Sequence, residues 1–219
     1  MIVKTSSLRK EVSSKDGNLI ILEEINLELE KGKSLAIVGP SGSGKTTLLS
    51  LLAGLDTATS GEVFLNGNPL HSMDENQRAL VRKENVAFVF QSFELLPGLN
   101  ALENVMLPSE LKHVPDARNL AKEFLRKVGL EKRINHYPRQ LSGGEQQRVA
   151  IARAFACKAK VLFVDEPTGN LDPKTGAKIS ELFFQVYGES SNALIIVTHD
   201  VNLASKCDKQ IELKEGRII

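Results

Sequence analysis

Four short apolar runs divide the chain, and none of them alternates between apolar and polar positions. They cover residues 34–38, 86–90, 161–164 and 193–197. A run without alternation is typical of a strand that is buried on both faces, as the strands of parallel sheets are. Segments with helical spacing of their apolar residues lie between these runs, at 45–53, 117–128, 144–156 and 175–186. This order predicts an α/β fold with helices on both faces of a parallel sheet.

Two regions depart from the alternation of strand and helix. Residues 1–31, together with 62–65 after the turn at Ser60-Gly61, have the pattern of a smaller antiparallel sheet. Residues from about 92 to 157 contain helical patterns only, which indicates a helical lobe inserted into the core. With 219 residues the chain is too short for two independent domains of ordinary size. We therefore expect one domain, 1–219, with a helical subdomain at about 92–157.

Composition excludes several classes of function. The 28 Lys and Arg residues are balanced by 27 Asp and Glu residues, so no field of positive charge would hold a nucleic acid. The apolar runs are far shorter than the ~18 residues that span a bilayer, and the N-terminus lacks the apolar core of a secretion signal. Cys157 and Cys207 stand alone, which argues against a metal or redox role. These features predict a cytosolic chain that does not bind nucleic acid.

A phosphate-binding loop follows the first apolar run and precedes a helical segment. Its residues are Gly39, Pro40, Ser41, Gly42, Ser43, Gly44, Lys45 and Thr46. Glycines let the backbone N–H groups curve around phosphate oxygens, and the N-terminus of the helix adds partial positive charge. Lys45 would reach the β- and γ-phosphates, the Thr46 hydroxyl would bind Mg²⁺, and Thr47 would also contribute to ATP binding. The pattern predicts ATP and Mg²⁺ as ligands.

A second phosphate-binding device lies at 141–147, where Ser142, Gly143, Gly144 and Glu145 open a helical pattern. Ser142 is placed to cap this helix, and a plain capping box with Glu145 would explain the helix equally well. It would not explain the two glycines, which weaken a helix start but allow a phosphate to approach closely. A chain with one phosphate-binding loop has no evident use for a second clamp. We therefore expect the clamp to serve ATP held by a second copy, in a homodimer.

Four polar residues follow buried strands and suggest hydrolytic chemistry. Asp165 would hold Mg²⁺, and Glu166 beside it would act as general base toward an attacking water. Gln91 would touch both Mg²⁺ and that water, and His199 would contact the γ-phosphate and orient Glu166. Taken singly, each has an ordinary alternative: a strand-to-turn junction, a loop glutamine or a structural histidine. Together they predict ATP hydrolysis.

The set of motifs, in this order, resembles that of the ATP-binding-cassette (ABC) ATPases, whose two subunits sandwich two ATP molecules. Segments 90–97, 101–105 and 165–172 resemble the branch that contains MacB, LolD and FtsE, and most of all its YbbA-like members. The resemblance implies a RecA-like core with a small antiparallel β subdomain and an inserted helical subdomain. It also implies that Asn170-Leu171-Asp172 is the D-loop along the dimer seam. The implied partner is a separately encoded FtsX/MacB-like permease, which would hold the chain at the cytoplasmic face of the inner membrane.

One residue departs from the family pattern. Val12 falls near the place where family members usually carry an aromatic residue that stacks on adenine. Without that stacking, we expect weak discrimination between nucleotides.

Two other functions are compatible with the sequence. ABC ATPases that act on nucleic acid usually carry a coiled coil or a zinc module between the two phosphate-binding motifs, or two cassettes in one chain. The interval from Lys45 to Ser142 is too compact for such an insertion. An FtsE-like regulator of cell division differs only in its partner.

A surface for the permease is expected at residues 91–108. Phe93, Leu95, Leu96 and Leu99 place apolar side chains just beyond Gln91. They would form a groove for a short cytoplasmic helix of the permease. Packing beneath the helical lobe is the alternative for each of them.

Overall fold

The computed structural model describes residues 1–14 and 17–219. They form two compact units. The first consists of residues 1–86 and 192–219, and the second of residues 87–191. The assignment of the whole chain to a single domain stays a prediction.

An antiparallel sheet occupies the N-terminal part of the first unit. Its strands are β1 (Val3–Ser14), β2 (Gly17–Leu29), β4 (Ser60–Leu65) and β5 (Asn68–Pro69), in the order β2-β1-β4-β5. Leu8, Leu22 and Ile25 from the β1–β2 pair are completely buried. The sequence-based prediction of a small antiparallel sheet is therefore confirmed.

A second set of strands in the first unit holds the phosphate-binding loop. Strand β3 (Ser34–Val38) lies between β8 (Ala193–Val197) and β9 (Lys209–Lys214) and is parallel to both, and β10 (Arg217–Ile218) pairs antiparallel with β9. Every residue of β8 is buried. The helices of this unit are α1 (Lys45–Leu52), α2 (Glu75–Asn85) and α7 (Val201–Ala204), with a 3₁₀ turn at Leu70–Ser72.

The second unit combines two strands with most of the helices. Strand β6 (Val86–Val89) is hydrogen-bonded to β7 (Val161–Asp165). The helices are α3 (Ala101–Leu111), α4 (Ala117–Lys127), α5 (Gly143–Ala156) and α6 (Pro173–Gly188), with a 3₁₀ turn at Pro138–Gln140. Stacked rings of Phe88 and Phe163 join the two strands, and Phe155 of α5 packs on Phe183 of α6. Within the described chain, no helix combines the length and the apolar character that crossing a membrane requires.

Sequence reasoning missed several elements, among them α2, β9 and β10. Helix α2 is mostly polar and buries only Val81 and Asn85, so its apolar spacing is weak, although a complete capping box at Asp74 and Gln77 marks its start. Strand β9 buries only Leu213 and owes its place to pairing with β3, and β10 in turn pairs with β9. Element ends also differ by one or two residues: β6 ends at Val89 rather than at 90, and α6 begins at Pro173 rather than at 175.

Candidate nucleotide-binding and catalytic site

The phosphate-binding loop joins β3 to α1 and requires its glycines for two reasons. Gly39, Gly42 and Gly44 have φ angles of 148°, 80° and 98°, in the region that favours glycine. A Cβ on Gly39 would also collide with the carbonyl oxygen of Leu213, and one on Gly44 would lie 2.9 Å from Cδ2 of Leu22. The loop is thus held against its own unit by close backbone contacts.

The donors of this loop suit a phosphate group. Lys45, the first residue of α1, is only 9% exposed, and its Nζ donates to the carbonyl oxygens of Gly39 (3.0 Å) and Pro40 (2.9 Å). Gly44 provides no side-chain cap for α1, and the buried Ser43 Oγ bonds to no atom within 1–14 and 17–219. An ammonium group, an uncapped helix N-terminus and a buried hydroxyl without a partner together fit an anion. Thr46 is exposed and Thr47 is half-buried, and both lie in the first turn of α1.

The expected capping box at the start of α5 is present. Ser142 Oγ accepts from the Glu145 N–H (3.3 Å), and Glu145 Oε2 accepts from the Ser142 N–H (2.9 Å) and hydroxyl (3.0 Å). These bonds, with Arg133 at 3.1 Å from Glu145 Oε1, hold the pKa of Glu145 below its ordinary value, the Ser142 N–H being the largest cause. The capping box alone is enough to explain why α5 begins here, in agreement with the alternative interpretation of the sequence.

The two glycines of this motif differ in what they require. A Cβ on Gly144 would lie 2.8 Å from Cγ2 of Thr175, so this glycine is needed for packing between α5 and α6 within one chain. A Cβ on Gly143 would meet only ordinary contacts, the nearest at 3.6 Å from Leu171. Packing therefore explains Gly144 and leaves Gly143, which is exposed, available to a ligand.

A cavity of about 440 Å³ opens beside this helix start. Its wall includes Ser142 and Gly143 from α5 and Asp172 from the segment that leads into α6. Two cationic side chains, Arg148 and Lys178, also line it. A wall with a helix N-terminus and two cations suits an anionic ligand.

Strand β7 delivers the two carboxylates. Asp165 is its last residue and Glu166 follows at a φ of 45°, and both are half-buried. A non-glycine residue in the left-handed region is uncommon and persists only where its surroundings enforce it. Here the Gly169 N–H bonds to the Glu166 carbonyl (3.0 Å), and the fully buried Gln147 of α5 donates to the carbonyl of Pro167 (2.6 Å). Hydrogen bonds to the carbonyl oxygens of residues 166 and 167 therefore fix the backbone at Glu166.

Gln91 lies just beyond β6 and exchanges two hydrogen bonds with Asn170. Gln91 Nε2 donates to Asn170 Oδ1 (3.3 Å), and Asn170 Nδ2 donates to the Gln91 carbonyl (2.9 Å). The second unit thus joins the predicted glutamine to the predicted D-loop. The sequence named Asn170 as part of a motif and did not reveal this contact.

The segment after Gln91 is held in an unusual conformation. Phe93 and Glu94 have φ angles of 62° and 47°, and Arg153 of α5 donates to both of their carbonyl oxygens, at 2.8 and 2.5 Å. Burial lowers the pKa of Arg153, since its guanidinium is largely removed from water. Sequence reasoning missed Arg153 and Gln147. For Arg153 the available signal was a charged side chain between the buried Ala152 and Ala154. Gln147 lies between the polar Gln146 and Arg148, so its sequence context gave no such signal.

The expected apolar surface is smaller than the sequence suggested. Leu96 is 45% exposed, whereas Phe93, Leu95 and Leu99 are half-buried. The buried Asn104 of α3 accepts from the Leu96 N–H (2.8 Å) and donates to the carbonyls of Leu96 (3.1 Å) and Leu99 (2.9 Å). Hydrogen bonds with Asn104 therefore hold this loop, and Leu96 is the one of the four predicted apolar residues that is exposed.

The remaining predicted residues lie in the first unit. His199 is exposed directly after β8, between the buried Thr198 and Asp200, which caps α7 through the Asn202 N–H (2.8 Å). Val12 on β1 is 45% exposed and faces Leu19 on β2. This part of the hairpin carries exposed aliphatic side chains, and whether Val12 contacts a base stays a prediction.

Comparisons with known proteins agree on one family. The family model described as ABC transporter matches residues 22–169. The ABC transporter ATP-binding protein YbbA of Escherichia coli is 53% identical over 99% of this chain and 96% of its own length. The lipoprotein-releasing system ATP-binding protein LolD of Hydrogenovibrio crunogenus is 46% identical over 100% of this chain and 96% of its own.

A solved structure shows the same fold. The ATP-binding cassette MJ0796, determined as a dimer in a post-hydrolysis state bound to ADP and Pi, matches with a TM-score of 0.91 and 39% identity. The match covers 99% of this chain and 96% of that one. The predicted α/β cassette fold and the resemblance to the branch with YbbA and LolD are confirmed. The chain therefore belongs to the ABC transporter family, as one of its ATP-binding, ATP-hydrolysing subunits.

Proposed function

We propose that two copies of this chain form an ATP-driven motor for a separate FtsX/MacB-like permease. The observation that carries this proposal is a second surface suited to an anion, at the start of α5, in a chain that already has a phosphate-binding loop. Gly143 is exposed there without a packing role, and Arg148 and Lys178 line the adjoining cavity. The γ-phosphate of ATP held by the other copy fits this surface. The dimer of MJ0796 cassettes with ADP and Pi supports such an arrangement.

Each copy would hold ATP and Mg²⁺ through its own phosphate-binding and metal-binding residues. The N–H groups of residues 39–46 and the Lys45 ammonium would bind the phosphates. Mg²⁺, which prefers oxygen ligands, would be held by Thr46, Gln91 and Asp165 and would neutralise charge on the phosphates. Val12 would cover the base with aliphatic contact only.

Hydrolysis would depend on Glu166. In this proposal its carboxylate takes a proton from the water that attacks the γ-phosphorus, while the bond from phosphorus to the ADP oxygen breaks. His199 would contact the γ-phosphate and orient the water. The hydrogen bonds that fix the backbone at residues 166–169 would keep the Glu166 carboxylate in position.

The partner would be an integral membrane protein bound through the segment that presents Leu96. The chain would then lie at the cytoplasmic face of the inner membrane and act as a translocase or transmit motion across the membrane. LolD is named as part of a lipoprotein-releasing system, which supports a membrane partner. A nucleic-acid ATPase is less well supported, because residues 45–142 contain only short elements and leave no room for a long coiled coil. An FtsE-like regulator remains the alternative within the same branch.

The deciding experiment uses Glu166→Gln, with Glu181→Gln on the exposed face of α6 as a matched control. We expect Glu166→Gln to bind ATP but to lose turnover by about 10²-fold or more. With Mg-ATP it should elute as a dimer in gel filtration with light scattering, while the control should hydrolyse ATP normally. A Glu166→Gln protein that binds Mg-ATP and remains monomeric would refute the sandwich.

A further inference from the structure

We propose that Asn170 is a positioning residue for Gln91. It engages the amide nitrogen of Gln91, so that the amide oxygen is the atom offered to Mg²⁺. This inference rests on the proposed role of Gln91 as a magnesium ligand. It adds a residue from the segment before α6 to the metal site without placing that residue in contact with the metal.

The two hydrogen bonds fix the direction of both amides. Asn170 Nδ2 donates to the backbone carbonyl of Gln91 at 2.9 Å, which settles which end of the Asn170 amide faces Gln91. The remaining end of that amide is an oxygen, and it accepts from Gln91 Nε2 at 3.3 Å. Because an amide has one donor end and one acceptor end, the first bond dictates the second. The Gln91 amide is thereby turned with its nitrogen toward Asn170.

The space beside Gly169 is a second observation that the Gln91 amide has a defined position. A Cβ at Gly169 would lie 2.7 Å from Gln91 Nε2 and 3.3 Å from its Cδ. Gly169 is not among the glycines with positive φ, so its backbone does not require glycine. A side chain at residue 169 would instead displace the Gln91 amide from the space that it occupies.

The orientation matters because Mg²⁺ binds oxygen and not an amide N–H group. The last torsion of a glutamine side chain is broad and nearly two-fold, so an unrestrained amide presents either end. Replacement of Asn170 by alanine would remove the hydrogen bond that turns the Gln91 amide nitrogen toward residue 170. The same bond keeps the Gln91 side chain beside residue 169. We expect the metal-dependent gain in nucleotide affinity to fall by about two- to tenfold, the range of one lost hydrogen bond.

The test measures ATP binding by calorimetry in a Glu166→Gln background, once with Mg²⁺ and once with EDTA. The variants are Asn170→Ala, Gln91→Ala, their combination, and Asn119→Ala as an exposed asparagine control on α4. We expect Asn170→Ala to lose metal-dependent affinity, to keep its affinity in EDTA, and to add nothing to Gln91→Ala in the combined variant. Gly169→Ala should change affinity in the same direction.

The outcomes separate this inference from the function on which it rests. If Gln91→Ala keeps the full metal effect, the proposed role of Gln91 is wrong and the inference falls with it. If Gln91→Ala loses the effect while Asn170→Ala keeps it, the inference alone is overturned. Equal losses with Mg²⁺ and with EDTA in Asn170→Ala, or additive losses in the combined variant, would show a merely structural role.

Discussion

Replacement of Arg153 by Met should release the loop that follows Gln91. The methionine keeps most of the length of the arginine side chain and removes the two donors that bind the Phe93 and Glu94 carbonyls. These two residues would then have no guanidinium to hold them at φ angles of 62° and 47°. The loop should relax toward ordinary backbone conformations.

The size of the effect follows from opposing contributions. A hydrogen bond from a charged donor contributes about 1.5–3 kcal/mol, and each strained residue costs about 1 kcal/mol or more. Folding of the wild-type protein also costs free energy because it takes the Arg153 guanidinium largely out of water, and the same desolvation lowers the pKa of Arg153. The exposed Glu94 lets water reach a relaxed loop. We therefore expect a loss of about 1–2 kcal/mol in the free energy of unfolding, or roughly 2–8 °C in Tm.

Hydrogen exchange measured by mass spectrometry tests the local effect. Peptides that cover residues 92–99 should exchange about tenfold faster in Arg153→Met, because about 1.4 kcal/mol of local stability corresponds to that factor. Arg153→Lys should give an intermediate result, since an ammonium group lacks the fork that reaches two carbonyls. Arg126→Met, at an exposed position of α4, is the control and should change nothing. Unchanged exchange at 92–99 in a folded Arg153→Met protein would refute the assigned role of Arg153.

Three further predictions concern the nucleotide and the partner. Ser142→Arg should abolish ATPase activity and leave the nucleotide affinity of the monomer nearly intact, whereas Lys45→Ala should lower both; equal loss of affinity by calorimetry would show that both motifs bind the same nucleotide in one chain. Val12→Tyr should tighten ATP binding by about 1 kcal/mol and sharpen discrimination against GTP, and an unchanged Kd would place the base elsewhere. Leu96→Asp should leave a folded, ATP-binding protein that no longer co-purifies with its permease in detergent, while Leu111→Asp, 58% exposed at the end of α3, should co-purify normally. Wild-type yield of permease with Leu96→Asp would exclude this docking surface.

What the sequence revealed depended on how local each cause is. The apolar β3 and β8 were predictable because a buried strand shows its burial in its own residues. Lys45 was predictable because the phosphate-binding loop encodes its shape in a few adjacent glycines. The partners of the predicted residues were not predictable in this way. Asn170 meets Gln91 across 79 positions of the chain and Arg153 meets Phe93 across 60, and no periodicity reports such contacts.

The place of β3 between two C-terminal strands has a consequence for the order of synthesis. Ser34 pairs with Leu194, so the strand before the phosphate-binding loop lacks its neighbours until about 160 more residues are made. At about 5–20 residues per second this wait is roughly 8–30 s. The phosphate-binding loop must wait even longer for its neighbouring strand, because Gly39 packs against the Leu213 carbonyl on β9. We expect a growing chain to be unable to hold ATP until β8 and β9 have both been made.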